Sequence, residues 1–178
     1  SDHGELLGDH GIYFKGPFFY DCSVRVPLII SMPGTIEKQV STGLIELLDL
    51  PQTILEAAGV EAHPGMMGKS MWPILTGETD VDEHRTDVYC ESYAACDGHN
   101  GETEMPAHAT MIRTRTHKLV VAHGHNTGEL YDLISDPGEH KNLWDDEAAA
   151  NIKSELLLRL TDRLAFTLDP LPERVAVW

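Results

Sequence analysis

Four side chains near the start of the chain have the types and spacing of a reactive centre. Asp2 and His3 stand side by side, and His10 and Lys15 follow within twelve residues of His3. A carboxylate and an imidazole are both common ligands of divalent cations. Neighbouring side chains on a regular strand point to opposite faces, so Asp2 and His3 can share one ion only where a strand ends and the backbone turns. Gly4 supplies that freedom, and the carboxyl ends of parallel strands are where ligands gather in α/β sheets. Lys15, between Phe14 and Gly16-Pro17, can hold an anionic oxygen over such an ion or help a leaving group depart. His10, within Gly8-Asp9-His10-Gly11, can serve as an acid or a substrate contact. Each residue also has a plainer use: Asp2-His3 in a turn, Asp9 as a cap, His10 closing a loop, Lys15 solvated. Glu5 either orients His3 or is solvated.

The elements that must position these groups follow from patterning. VPLIISMPG (26–34) predicts a buried strand closed by Pro33-Gly34, and Arg25, alternating with Val24 and Val26, reads as an ion-pair partner. From Thr42 to Ala58 apolar residues recur at three-to-four spacing, with Gly59 as the stop and Pro51 interrupting, which predicts two helical pieces. A Gly- and Pro-rich stretch (63–80) and the acidic TDVDEHRTD after it divide the chain into units 1–83 and 84–178. In the second, DVYCESY (87–93), ATMIRT (109–114), KLVVAH (118–123) and ELYDL (129–133) predict a small antiparallel sheet. Ile152, Leu156, Leu157, Leu160 and Leu164 share one face of a helix over 145–164 that can cover it. The loop from Ala94 to His108 is long for its place and carries His99, Glu102, Glu104 and His108, with Arg113 after it, all candidates to select a substrate. His123 and His125 either do likewise or are solvated; Phe18, Phe19 and Tyr20 read as packing aromatics.

Composition narrows the partners. Lys and Arg number 13 against 29 Asp and Glu, a formal charge of −16, which repels nucleic acid and anionic membrane surfaces. No apolar run approaches the length of a membrane span, and the first residues are too polar for a secretory leader. Cys22, Cys90 and Cys96 show no metal-type CxxC spacing. Neither the compartment nor the redox state follows from these features.

SDHGELLGDHGIYFKGPFFYDCSVRVPLIISMPG, the first 34 residues, resembles the sulfatases of the alkaline-phosphatase superfamily, of the formylglycine-dependent kind. GKSMWPILTG (68–77) resembles that family's link into its C-terminal subdomain. MIRTRTHKLVVAHGHNTGELYDLISDPGEHKNLW (111–144) resembles its terminal sheet, with Tyr-Asp-Leu, Asp-Pro-x-Glu and Asn-Leu. The resemblance covers most of the chain and implies an α/β fold: the end of a mixed sheet, then a four-stranded antiparallel sheet under a C-terminal helix. It implies hydrolysis of sulfate esters, with Asp2 and His3 as ligands of Ca2+ (Mn2+ or Mg2+ as alternatives) and Lys15 on the sulfate. Lys15 or His10 would assist the leaving group, and His108 and Arg113 would border the substrate. The family's nucleophile sits in Cys/Ser-x-Pro-x-Arg and is oxidised to formylglycine. Cys22-Ser-Val-Arg-Val lacks the proline and has its arginine one place early, and Cys90 and Cys96 fit no better. The formylglycine is therefore expected on a segment ahead of Ser1, and this chain alone is expected to be inactive. The expected partner is a sulfated small molecule or sugar, and an isolated chain is expected to self-associate or take a companion chain to cover its open sheet edge. Two rival readings are a phosphodiesterase or phosphonate monoester hydrolase of the same superfamily, and a non-catalytic C-terminal module.

Overall fold

The computed structural model describes residues 1–93 and 108–167. Four strands, β1 (Val88–Tyr93), β2 (His108–Arg113), β3 (His117–Ala122) and β4 (Thr127–Asp132), form one antiparallel sheet in sequence order. Leu119 lies opposite both Ile112 and Leu130. Alternation along each strand gives the sheet two buried faces. On one, Ile112, Leu119 and Leu130 meet Leu156 and Leu160 of a long helix, with Tyr89, Val121 and Trp144 at the margin. On the other, Ala109, Met111 and Val120 meet Phe19, with Val24 and Cys90 alongside. Burial on both faces is why β2 and β3 read as nearly continuous apolar runs.

Ahead of the sheet come three short helices, α1 (Asp21–Val24), α2 (Asp49–Ala57) and α3 (Trp72–Leu75), and after it the covering helix α4 (Ala150–Phe166). A 3-10 turn, Glu147–Ala149, leads into α4, and the Asp146 side chain caps it by accepting from the Ala148 N–H at 2.9 Å. The free edge of β4 is covered. Leu143 donates to the Leu130 carbonyl, and the Asn142 amide spans Leu130 N–H and the Gly128 carbonyl. Gly128 itself lies so close to the Val120 carbonyl and the Trp144 ring that a Cβ there would clash with both.

Two expectations for the first unit need correction. Residues 26–34 form no strand: none of the described residues pairs with them in a sheet, and Ile29 is 91% exposed. Arg25 accordingly follows α1 rather than alternating in a strand; it is 76% exposed and 3.9 Å from Asp21. The first of the two helical pieces is also absent. Its backbone donors are captured by side chains instead, Thr42 N–H by Asp82 at 2.6 Å and Glu46 N–H by Asp49 at 3.0 Å. The second piece forms as α2, with Pro51 in its first turn. The tail after Thr167 and the 94–107 loop, with His99, Glu102 and Glu104, lie outside the described residues.

Candidate active site

Residues 18–24 are the platform that gathers the reactive side chains. Phe19 anchors it in the sheet, and charge fixes its register. The Asp21 carboxylate receives Lys118 Nζ at 2.6 Å and Arg113 Nε and Nη2 at 3.2 and 3.1 Å, while the Asp21 N–H donates to Glu139 Oε2 at 2.6 Å. Lys118 is fully buried; it also donates to the Phe19 carbonyl at 2.8 Å and meets Glu139 Oε1 at 2.5 Å. Burial by itself would raise the Asp21 carboxyl, but Lys118 and then Arg113 hold it below the ordinary carboxylate range.

The first residues lean on this platform. Glu5 N–H donates to the Cys22 carbonyl at 3.1 Å, and Gly4 approaches Ser23 so closely that a Cβ would strike the Ser23 carbonyl. Asp2 and His3 are thereby carried to the surface beside α1, both exposed. His3 Nδ1 is 2.8 Å from the Gly4 carbonyl. When it carries the proton it donates there and leaves Nε2 as the free ligand nitrogen, the arrangement that metal-binding histidines use. The pair offers one carboxylate and one nitrogen. Among the described residues no group of three or more His, Cys, Asp or Glu converges on one point. Asp2 and His3 thus offer two of the ligands a divalent cation needs and do not complete its shell.

His10 rests on the aromatic part of the platform, and Lys15 follows in the same loop. The His10 ring lies parallel to Tyr20, with centroids 3.6 Å apart, and 5.1 Å from the ring of His140. Tyr20 is flanked by Phe18 at 5.8 Å and Tyr131 of β4 at 6.2 Å. His10 takes a left-handed backbone, φ 54°, a conformation in which histidine is several-fold enriched among non-glycine residues. Lys15 is half-buried and makes no salt bridge with a described residue; after it Gly16, φ 56°, folds the chain back over Phe18.

His108 and Arg113 are not brought together. They occupy opposite ends and opposite faces of β2, about 17 Å apart at strand rise. Arg113 is committed to Asp21 beneath the platform. His108 stacks on Tyr93 at 4.1 Å and stands 4.7 Å from His123, whose Nε2 is 2.7 Å from Thr110 Oγ1.

The sequence reading missed Lys118, Asp21, Glu139 and His140. The signal for Lys118 was available: it shares the parity of Val120, so it points inward and requires a buried anion. A second unforeseen network centres on Asp49. Its carboxylate takes both arms of Arg85, His84 Nε2 at 3.1 Å, Lys69 N–H at 2.7 Å and Glu46 N–H. Glu46 in turn meets Arg85, Arg163 and the Tyr89 N–H, tying α2 to β1 and α4. Burial pushes the Asp49 carboxyl up, and Arg85 with the two N–H groups more than reverses this. Burial pushes His84 down despite Asp49, since Arg85 already neutralises that carboxylate. Two surface clefts, of about 490 and 630 Å3, lie around Gln52 and Ser70 and around Lys69 and Arg115; neither includes Asp2, His3, His10 or Lys15.

A sheet covered by one helix, with a lysine- and histidine-bearing loop docked on its other face, is the C-terminal part of a sulfatase fold. The profile of the family described as N-sulphoglucosamine sulphohydrolase, C-terminal, matches residues 8–165, and the chain belongs to that family. The match spans His10, Lys15, His108 and Arg113 and begins after Asp2 and His3. The N-acetylglucosamine-6-O-sulfatase of Bacteroides thetaiotaomicron is 33% identical over 173 residues, 91% of this chain and 28% of that protein. The solved structure of a 2-O GAG sulfatase superposes with a TM-score of 0.80 at 31% identity, over 93% of this chain and 35% of that one. The phosphonate monoester hydrolase of Agrobacterium radiobacter superposes at 0.77 with 28% identity, over 95% and 34%. The chain thus spans about a third of the length of the relatives it matches.

Proposed function

We propose that the protein carrying this chain hydrolyses sulfate esters of sugars, and that the chain supplies a metal-binding pair, a sulfate-binding lysine and a proton donor. The observation that supports this most is that the stretch carrying Asp2 and His3, and the His10 ring, pack on one short segment, itself clamped to the sheet by Lys118 and Glu139, with Lys15 following in the same loop. The Asp2 carboxylate and His3 Nε2 would hold a calcium ion, with further oxygen donors from elsewhere in the protein; when bound it neutralises charge on the sulfate oxygens. The nucleophile is a formylglycine outside this chain. Lys15 has no described carboxylate partner, so its ammonium is free to bind a sulfate oxygen and stabilise the charge that builds during S–O cleavage. His10 gives its proton to the departing sugar oxygen. Arg113 serves the site by holding Asp21. The relative that acts on a 6-O-sulfated N-acetylglucosamine supports the sugar. The exposed apolar side chains of the first unit, Ile29, Val40, Leu7 and Phe14 among them, are covered by further protein, from the same polypeptide or a companion chain.

The test uses the intact protein, assayed on 4-nitrophenyl sulfate and on glucosamine 6-sulfate. Lys15→Ala is expected to lower kcat by about 10²–10³. A wild-type rate in that variant overturns the assignment of Lys15. A faster rate on an aryl phosphonate than on the aryl sulfate favours the second reading, a phosphonate monoester hydrolase, which rests on the likeness to the Agrobacterium enzyme.

A further inference from the structure

We propose that His140 is a positioning residue for His10, so that the turn after the last strand completes the candidate active site. The proposal rests on the sulfatase reading above and adds a residue that this reading does not use. A proton donor works only when its nitrogen lies about 2.6–3.2 Å from the receiving oxygen, so the orientation of the His10 ring decides its usefulness. That ring is packed by two groups from different parts of the chain. Tyr20, 3.6 Å away and parallel, belongs to the platform held by Phe19 and Lys118. His140, 5.1 Å away and tilted by 36°, belongs to the turn 136–141. This turn is rigidly built: Asp136 accepts the Lys141 N–H at 2.8 Å, and the Glu139 N–H donates to the Asp136 carbonyl at 3.1 Å. Its buried Glu139 carries Lys118 and the Asp21 N–H, so the same turn that clamps the platform also presents His140 to His10. Neither His10 nitrogen is hydrogen-bonded to a described residue, so these ring contacts orient it.

Two readouts test the proposal in the intact protein. The first compares His140→Ala, His140→Phe, His10→Ala and the His10→Ala/His140→Ala double variant on two esters. Glucosamine 6-sulfate releases a poor leaving group that needs a proton, and 4-nitrophenyl sulfate releases one that does not. His140→Ala is expected to lower kcat on the sugar sulfate by about 10- to 100-fold, with KM and the aryl rate changed less than about twofold. His140→Phe restores most of the loss by refilling the ring contact, and His140→Ala adds nothing in the His10→Ala background. Equal losses on both esters, or an undiminished loss in that background, overturn the proposal. The second readout is the His10 ring signal in selectively labelled protein by NMR, expected to shift in His140→Ala and to return in part in His140→Phe; an unchanged signal overturns the contact. A wild type that hydrolyses neither ester sinks the sulfatase reading, while the NMR arm still decides the contact.

Discussion

Replacing Lys118 by Met removes the charge that ties the platform to the sheet while keeping an unbranched side chain in its channel. In the wild type, Nζ reaches the Phe19 carbonyl, Asp21 and Glu139 at 2.8, 2.6 and 2.5 Å from a residue with no exposed surface. At an effective dielectric near 20, each ion contact is worth about 6 kcal/mol of Coulomb attraction, most of it offset by desolvation of the three charges. The variant keeps the desolvation of the two carboxylates and loses their attraction to the ammonium. Asp21 retains Arg113, but the Glu139 carboxylate, 2% exposed, is left with the Asp21 N–H alone. Breaking a buried pair in this way costs about 3–5 kcal/mol, or about 6–20 °C in Tm for a chain of this size. Urea unfolding followed by circular dichroism measures it. Adding Glu139→Gln removes the stranded charge, so the double variant is expected to be less destabilised than the sum of the singles by about 1–3 kcal/mol. Amide exchange at Asp21, whose N–H leans on Glu139, is expected to quicken in Lys118→Met. A Lys118→Met protein within 0.5 kcal/mol of wild type, or strict additivity in the double variant, refutes the claim that this lysine docks the platform.

Two further expectations concern the sheet and the Asp49 network. Gly128→Ala drives a methyl group into the Val120 carbonyl and the Trp144 ring, and thermal unfolding is expected to show a loss of at least about 1–3 kcal/mol. Stability in urea is expected to fall in two steps on acidification. His84 has its folded pKa pushed below 6.5 by burial, so as pH drops below about 6.5 the unfolded chain takes up a proton that the folded chain refuses. Asp21 and Asp49 are held below the ordinary carboxylate value, so their contribution is complete above about pH 4 and is lost as pH falls through their depressed folded values. His84→Gln keeps a donor for Asp49 and is expected to shrink the upper step, the remainder belonging to His123, whose pKa burial and then His108 also lower; an upper step of unchanged size shows that His84 does not contribute to it.

What the sequence disclosed and what it hid divide along a physical line. The four strands and α4 were legible because their apolar periods are local and α4, which covers one face of the sheet, lies in the same stretch of chain. Residues 26–34 carry the same β-branched signal, yet none of the described residues pairs with them, and a strand's hydrogen bonds belong to the pair. The helical period over 42–48 lost to Asp82 and Asp49, whose carboxylates outbid a helix for backbone donors from 40 and 3 residues away. Asp2, His3, His10 and Lys15 can be proposed from type and spacing. The support of the platform behind them cannot, because it depends on Lys118 and Glu139, 99 and 118 residues from their partners.

The use of ions in that support has its own logic. Phe19 against Ala109, Met111 and Val120 supplies attraction, but an apolar contact has no direction and would tolerate a slide or a rotation of the segment. Lys118 meets three acceptors on two segments, and Glu139 meets one cation and one N–H, so a small slip breaks several charged contacts at once. An imidazole that must hydrogen-bond with precision needs that kind of restraint. The buried ions at the base of the platform are therefore best understood as setting where Tyr20 and the His10 ring packed on it stand, with net stability a secondary consequence.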